Sequence, residues 1–256
     1  MASKPAKRIL LTRADNEPLA SSLKKLGAEV LEIPLIKVEL DADAETADDV
    51  LSNIACYEWI AFSSANGVRG FFKEFFKKFK DIRCIGPCRI ACVGKATAKA
   101  LEEFHIQTDV IPEISSGAEM AKAMLAYETL ENLNILCVGG NLGDGDAAKI
   151  LEERGRAIVD TFCVYKTSAE TVNPRGKAAR DFSENGADAI FFASPSAVES
   201  FLKNAKALEL KEGATRPKAY SIGPKTSEAL KKFGITVAKE AQSPEIVLEM
   251  FEEEFF

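Results

Sequence analysis

Histidine and tryptophan are nearly missing from this chain, with one of each in 256 residues. The lone histidine, His105, follows a predicted helix, a poor setting for a hydrolytic triad built on imidazole. No apolar run approaches the roughly 18 residues that a membrane span needs. Basic excess is absent: Lys+Arg is 33 against Asp+Glu 39, a net charge of −6. That excludes a bulk-basic nucleic-acid binder. It leaves a local basic or amide-rich cleft open, because net charge says little about one site. Gly 16 and Pro 10 are too few for collagen-like or low-complexity sequence, and a hydrophobic fraction of 46 % with 28 % charged residues is not that of a disordered chain. No phosphate-binding G-x-x-x-x-G-K loop, no G-x-S-x-G elbow and no H-E-x-x-H occurs. Of the six cysteines (Cys56, Cys84, Cys88, Cys92, Cys137 and Cys163), several lie in apolar strand-like runs, as free buried thiols do in a reducing compartment. Cys84, Cys88 and Cys92 are spaced by four but have no second ligand cluster, so no metal is expected. MASKPAKRILLTR reaches a strand-like run within its first residues, so the expected location is cytoplasmic, or the plastid stroma if a transit peptide has been removed.

What is present is a regular alternation. Lys7–Thr12 reads as a buried strand, Asn16–Leu26 as a helix stopped by Gly27, and Glu29–Ile33 as the next strand. Further strands are expected at Trp59–Ser63, Arg89–Val93, Thr108–Ile111, Asn134–Val138, Ala157–Thr161, Asp188–Phe192, Lys218–Ile222 and Ile235–Ala238. They are nearly continuous in apolar residues, which means burial on both faces, as in parallel sheets covered by helices. Phe71, Phe72, Phe75, Phe76 and Phe79 fall at helical spacing and read as core packing.

Length alone, at about 150 residues per domain, does not separate one domain from two. An internal repeat does. YEWIAFSSANGVRGFF from Tyr57 matches ADAIFFASPSAVESFL from Ala187, and RIACVGKATAKALEEFHI from Arg89 matches KAYSIGPKTSEALKKFGI from Lys218. KRILLTR…LKKLGAEVLEI more weakly resembles LNILCVG…LEERGRAIVDT. The order is A-B-A′-B′, which predicts two similar α/β domains without saying whether A pairs with B or with B′. The extended runs Ile33–Leu40 and Phe162–Thr167 are candidate crossings between them.

Ligand crevices of open parallel sheets lie at the carboxyl ends of the strands. Those ends read Thr12-Arg13, Ser63-Ser64-Ala65-Asn66-Gly67, Gly94-Lys95-Ala96-Thr97, Gly139-Gly140-Asn141, Ala193-Ser194-Pro195-Ser196 and Gly223-Pro224-Lys225-Thr226, each opening a helix. Any one Ser, Thr or Asn among them is explained as an N-cap. Six such turns, with Arg13, Lys95 and Lys225 nearby, suit a ligand carrying many negative groups. A dinucleotide fingerprint in Gly139–Gly145, with Asp160 about twenty residues on, fails on glycine spacing and on Asp144 and Asp146, which would repel a pyrophosphate. A two-lobed binding or sensing module without catalysis, and a nucleotide-dependent enzyme, stay as alternatives at this point.

ILLTRADNEPLASSLKKLGAEVLEIPLI, WIAFSSANGV, IACVGKATAKAL, VYKTS, IFFASPSAV and YSIGPKTSEAL together resemble the uroporphyrinogen-III synthase family over nearly the whole chain. The resemblance implies two flavodoxin-like lobes with parallel sheets, joined by a two-stranded β-ladder. A would pair with B′ and A′ with B. Residues 1–35 and 168–256 would form a discontinuous lobe, 41–161 a continuous one, and 36–40 and 162–167 the linker strands. It implies a lyase that cyclises hydroxymethylbilane, a linear tetrapyrrole with eight carboxylates, inverting the last ring and losing water. Helix N-terminal amides of an interlobe cleft would hold those carboxylates. No cofactor and no metal are implied. Tyr165 matches the family's catalytic tyrosine candidate. Thr12, Arg13, Ser63, Ser64, Asn66, Gly67, Gly94, Lys95, Thr97, Gly139, Ser194, Pro195, Ser196, Gly223, Pro224, Lys225 and Thr226 would hold substrate. Family members often carry an arginine in the turn that here reads Gly139-Gly140-Asn141-Leu142-Gly143-Asp144, so contacts from that turn stay open. Expected partners are the substrate alone, with transient hand-over from the preceding bilane-forming enzyme, no nucleic acid, no membrane, and a monomeric state.

Overall fold

The computed structural model describes residues 6–143, 145–241 and 246–256. The chain divides into two compact units: residues 1–37 with 168–256, and residues 38–167.

The first unit holds β1 (Arg8–Leu11), α1 (Glu17–Lys25), β2 (Glu29–Glu32), α7 (Lys177–Asn185), β8 (Ala189–Phe192), α8 (Pro195–Lys203), β9 (Lys218–Ser221), α9 (Pro224–Lys232), β10 (Val237–Glu240) and α10 (Val247–Phe255). Its sheet runs β10-β9-β8-β1-β2, every pair parallel. Numbered within the unit, that is the doubly wound order 2-1-3-4-5. Alternation along β1 sends Leu10 to a core with Leu31, Phe182, Ile190, Val198 and Leu230. Ile9 and Leu11 go to the opposite core with Leu23, Phe191, Tyr220 and Phe251. Gly27, at φ +92°, takes the left-handed turn that ends α1.

The second unit holds α2 (Ala44–Ser52), β4 (Trp59–Phe62), α3 (Ala65–Lys78), β5 (Arg89–Cys92), α4 (Lys95–Glu102), α5 (Gly117–Tyr127), β6 (Asn134–Gly140), α6 (Asp146–Glu153) and most of β7 (Ile158–Ala169). The sheet order is β3-β7-β6-β4-β5, where β3 is Ile36–Glu39, and β7, β6, β4 and β5 are mutually parallel. Four strands, β7-β6-β4-β5, repeat the order β2-β1-β8-β9 of the other unit, while the fifth strand differs: β3 lies beside β7, at the edge opposite to the one β10 takes. A is therefore hydrogen-bonded to B′ through β1 and β8, and A′ to B through β6 and β4. The unit boundary falls inside β3 and inside β7, which neighbour each other in the sheet order.

Phe71, Phe72 and Phe75 of α3 are buried against Phe62 and Phe162, as the helical spacing predicts, while Phe76 is left 43 % exposed. α3 lies so close to β7 that a Cβ on Gly70 would come within 2.7 Å of Val164. Both units also fasten the start of the sheet alike. The Asp188 carboxylate accepts the Arg8 N–H at 2.9 Å, and the Glu58 carboxylate accepts the Asn134 N–H at 2.7 Å.

Two expectations are corrected. Thr108–Ile111 is not a strand; Val110 makes only an isolated bridge to Ala91, because the Asp109 carboxylate takes the Ile90 N–H at 2.7 Å and competes with ladder pairing. Ala157–Thr161 and Phe162–Thr167 are not separate segments but one continuous twelve-residue strand, β7.

Candidate functional site

In each unit the turns singled out by sequence lie side by side at the carboxyl end of the sheet, because they leave neighbouring strands. In the first unit Leu11 is level with Phe191, and Phe192 with Ser221. That brings together Thr12-Arg13, Ser194-Pro195-Ser196 and Gly223-Pro224-Lys225-Thr226. In the second, Phe62 is level with both Cys92 and Val138. That brings together Ser63 to Gly67, Gly94-Lys95-Ala96-Thr97 and Gly139.

Helix starts here are built the same way twice. Ser64 has an extended backbone (φ −168°, ψ 160°) and its side chain accepts the Gly67 N–H at 2.9 Å. Ser194 is nearly superimposable (φ −164°, ψ 156°) and accepts the Ala197 N–H at 3.1 Å. Gly94 and Gly223 begin α4 and α9 without a capping side chain. First-turn amides that no side chain occupies, at the positive end of a helix, are donors for an anion.

Several residues sit differently from what a hydroxyl or cation offered to ligand requires. Thr12 is wholly buried and donates to the Phe191 carbonyl at 2.7 Å, so its hydrogen is committed to the sheet. Thr97 and Thr226 are also buried. Ser63 is exposed but donates to the Val138 carbonyl at 3.0 Å. Arg13, Lys95, Pro224 and Lys225 are exposed, while Asn66 and Ser196 are half-buried. Partial loss of hydration pushes the Arg13 guanidinium below its usual value, against the pull of Asp15. Among the described residues its side chain makes no hydrogen bond or ion pair. It is an exposed cation with hydrogen-bonding capacity to spare.

Tyr165 falls in the second unit's cluster, and a bulge puts it there. β7 pairs with β6 regularly up to Gly139↔Cys163, then skips to Gly140↔Tyr165. The extra residue rotates the strand. Val164 and Tyr165 then both pack on the α3 side, where strict alternation would separate them. There the Tyr165 ring lies on Gly140, leaving no room for a Cβ. Its hydroxyl accepts a hydrogen bond from Ser64 Oγ at 3.1 Å. Asn141 fixes the strand end: its N–H binds the Tyr165 carbonyl at 3.2 Å, and its side chain accepts the Thr167 N–H at 2.7 Å.

Gly140 and Asn141, expected on sequence only as part of a strand-end turn, are the residues that seat Tyr165. The Gly139-Gly140 pair is the available signal, since paired glycines at a strand end mark a close approach. Asp144 lies outside the described residues. For a dinucleotide, the position of Asp160 decides: its carboxylate accepts the Tyr57 hydroxyl at 2.7 Å, so it is occupied within the protein. Among the described residues no three His, Cys, Asp or Glu side chains cluster as metal ligands, and no helix is long and apolar enough to cross a membrane.

The family model for uroporphyrinogen-III synthase HemD matches residues 17–247. Among curated proteins, the chain is 33 % identical over 230 residues to the porphyrin biosynthesis protein HemD of Ruminiclostridium josui, covering 89 % of this chain and 44 % of that one. It is 33 % identical over 116 residues to the uroporphyrinogen-III synthase of Synechococcus elongatus, covering 44 % of each. The chain thus spans less than half the length of these two relatives. A solved structure of a mutant uroporphyrinogen III synthase from Thermus thermophilus superimposes with a TM-score of 0.64 at 18 % identity, over 97 % of both chains.

Proposed function

The chain belongs to the uroporphyrinogen-III synthase family, and from that premise we propose that it cyclises hydroxymethylbilane to uroporphyrinogen III. The observation that carries the reading is the doubled row of helix-initiating turns, with Arg13 in one unit and Tyr165 in the other. Eight carboxylates need many donors. Backbone amides supply them without the desolvation that an equal number of buried lysines would cost. We place substrate carboxylates on the helix-initiating turns that each unit carries, and read the crossings in β3 and β7 as linker strands.

The chemistry asks mainly for positioning. A pyrrole nitrogen lone pair expels the terminal hydroxyl. The carbon–oxygen bond breaks, the oxygen takes the Tyr165 phenolic hydrogen, and water leaves. The methylene of the resulting azafulvenium joins the substituted carbon of the last ring rather than its free carbon, giving a spiro centre. The older bond from that carbon to its bridging methylene then breaks, leaving an azafulvenium on the neighbouring ring, and that methylene joins the free carbon, so that the last ring is inverted. The free carbon sheds its proton to the phenolate as aromaticity returns. A phenol suits a step that needs only a weak acid.

Unaided bilane closes without inversion, which favours direct hand-over from the enzyme that forms it. Free thiols at all six cysteines fit a reducing cytoplasm. We take the chain to act as a monomer. A two-lobed sensor would share the fold, but family membership weighs against it. The test is to supply freshly made hydroxymethylbilane and separate the type I from the type III product. Predominant type III supports the reading, and type I alone overturns it.

A further inference from the structure

We infer that Ser64 is a positioning residue for Tyr165, setting the direction in which the phenol offers its own hydrogen; this rests on the role proposed above for Tyr165. Ser64 Oγ has one hydrogen. It accepts the Gly67 N–H at 2.9 Å and donates that hydrogen to Tyr165 Oη at 3.1 Å. The phenol oxygen is thereby an acceptor on the Ser64 side, so its own O–H points elsewhere. Among the described residues no acceptor takes it. A half-buried phenol that served packing alone would be expected to spend its hydrogen on the protein, as the other buried phenols do: Tyr57 donates to Asp160 and Tyr220 to Glu254.

Capping does not require this bond. Ser194 caps α8 with the same backbone angles, and its hydroxyl meets Ser196 Oγ at 2.9 Å, with no phenol involved. The Ser64–Tyr165 contact is therefore something added in one unit to a turn that both units share. The rest of the ring's surroundings agree. The β7 bulge turns Tyr165 to this side, Gly140 gives its ring a flat floor, and the Asn141 amide holds its carbonyl. The serine fixes the remaining freedom, rotation about the phenolic C–O bond.

Substituting Ser64 by Gly removes the hydroxyl but keeps most of the N-cap, whereas Ser64→Thr keeps both. In the isomer assay, Ser64→Gly is expected to lower kcat about tenfold with KM little changed, and Ser64→Thr to recover most of the lost turnover. In a Tyr165→Phe background Ser64→Gly should cost nothing further, because the group it positions is gone. An equal loss in both backgrounds, or no loss in the wild-type background, overturns the positioning role. Wild-type turnover in Tyr165→Phe alone overturns the reading of Tyr165 itself, and is seen without touching Ser64. A readout independent of activity is the Cζ resonance of Tyr165 in protein carrying 13C-labelled tyrosine, one of four such signals, assigned by its loss in Tyr165→Phe. It should move in Ser64→Gly and stay in Ser64→Thr; a signal unmoved in Ser64→Gly overturns the bond.

Discussion

The two units start from the same repeat and end with different equipment. Where β1 runs out, the first unit has Arg13; at the matching place, near the end of β6, the second has Gly139, on which a Cβ would strike Ser63 Oγ. Where the second strand of each unit runs out, the first meets Pro34, and the chain stays on β1 through the Ile33 and Leu35 N–H groups, which bond the Leu11 and Thr12 carbonyls. The second carries β7 onward through a bulge and brings Tyr165 over Gly140. One copy thus keeps a cation, and the other gives up side-chain volume to seat a phenol. On the function proposed above, the repeat offers donors twice, and the difference between the copies divides binding from proton delivery.

The largest test of that division is Tyr165→Phe. It should cut kcat by about a hundredfold while leaving KM near its starting value, measured as initial rates of type III formation. Arg13→Ala should do the reverse, raising KM about tenfold at nearly constant kcat. If both variants moved the same parameter, the division of labour would be wrong. Thr12→Val probes whether that hydroxyl belongs to the sheet or to the ligand. Losing its bond to the Phe191 carbonyl should cost about 1–3 kcal/mol in denaturant unfolding, with KM unaltered; a large KM change would return Thr12 to the binding set.

The smallest effect concerns pH. Burial raises the Asp188 carboxyl, but hydrogen bonds from the Arg8 amide and the Lys7 ammonium outweigh it and hold it below its ordinary value of 3.8. A depressed folded-state value means stability present above about pH 4 and lost as pH falls through the folded value. Asp188→Asn should flatten the acid limb of the unfolding curve. An acid limb unchanged in Asp188→Asn would show that the carboxylate contributes nothing there.

Strands and helix starts were legible because burial on two faces leaves near-continuous runs such as Trp59–Phe62 and Ala189–Phe192, and because serines stand where α3 and α8 begin. Pairing between repeats was not legible from the repeat itself. A joined to B and A joined to B′ bury the same faces, and only long-range registers such as Leu10↔Ile190 distinguish them. Thr108–Ile111 misled because its β-branched composition hides what one aspartate does to its neighbour's N–H. At the site, Tyr165 was identified by resemblance alone. Its hydrogen bond to Ser64 spans 101 positions and depends on a one-residue bulge, and neither leaves a local pattern.

The interruption of one unit by the other sets an order of events during synthesis. Residues 38–167 hold nearly all of one sheet, and all of them are made before β8. β1, with Ile9, Leu10 and Leu11 all destined for burial, can meet β2 at once, but its other edge waits for β8, about 180 residues later. Until then an apolar strand with an open edge sits outside any finished core, the situation in which nascent chains associate wrongly or engage chaperones. The continuous unit can fold on the ribosome; the discontinuous one must close after it, so slow late folding and sensitivity to translation rate belong to the half that carries Arg13.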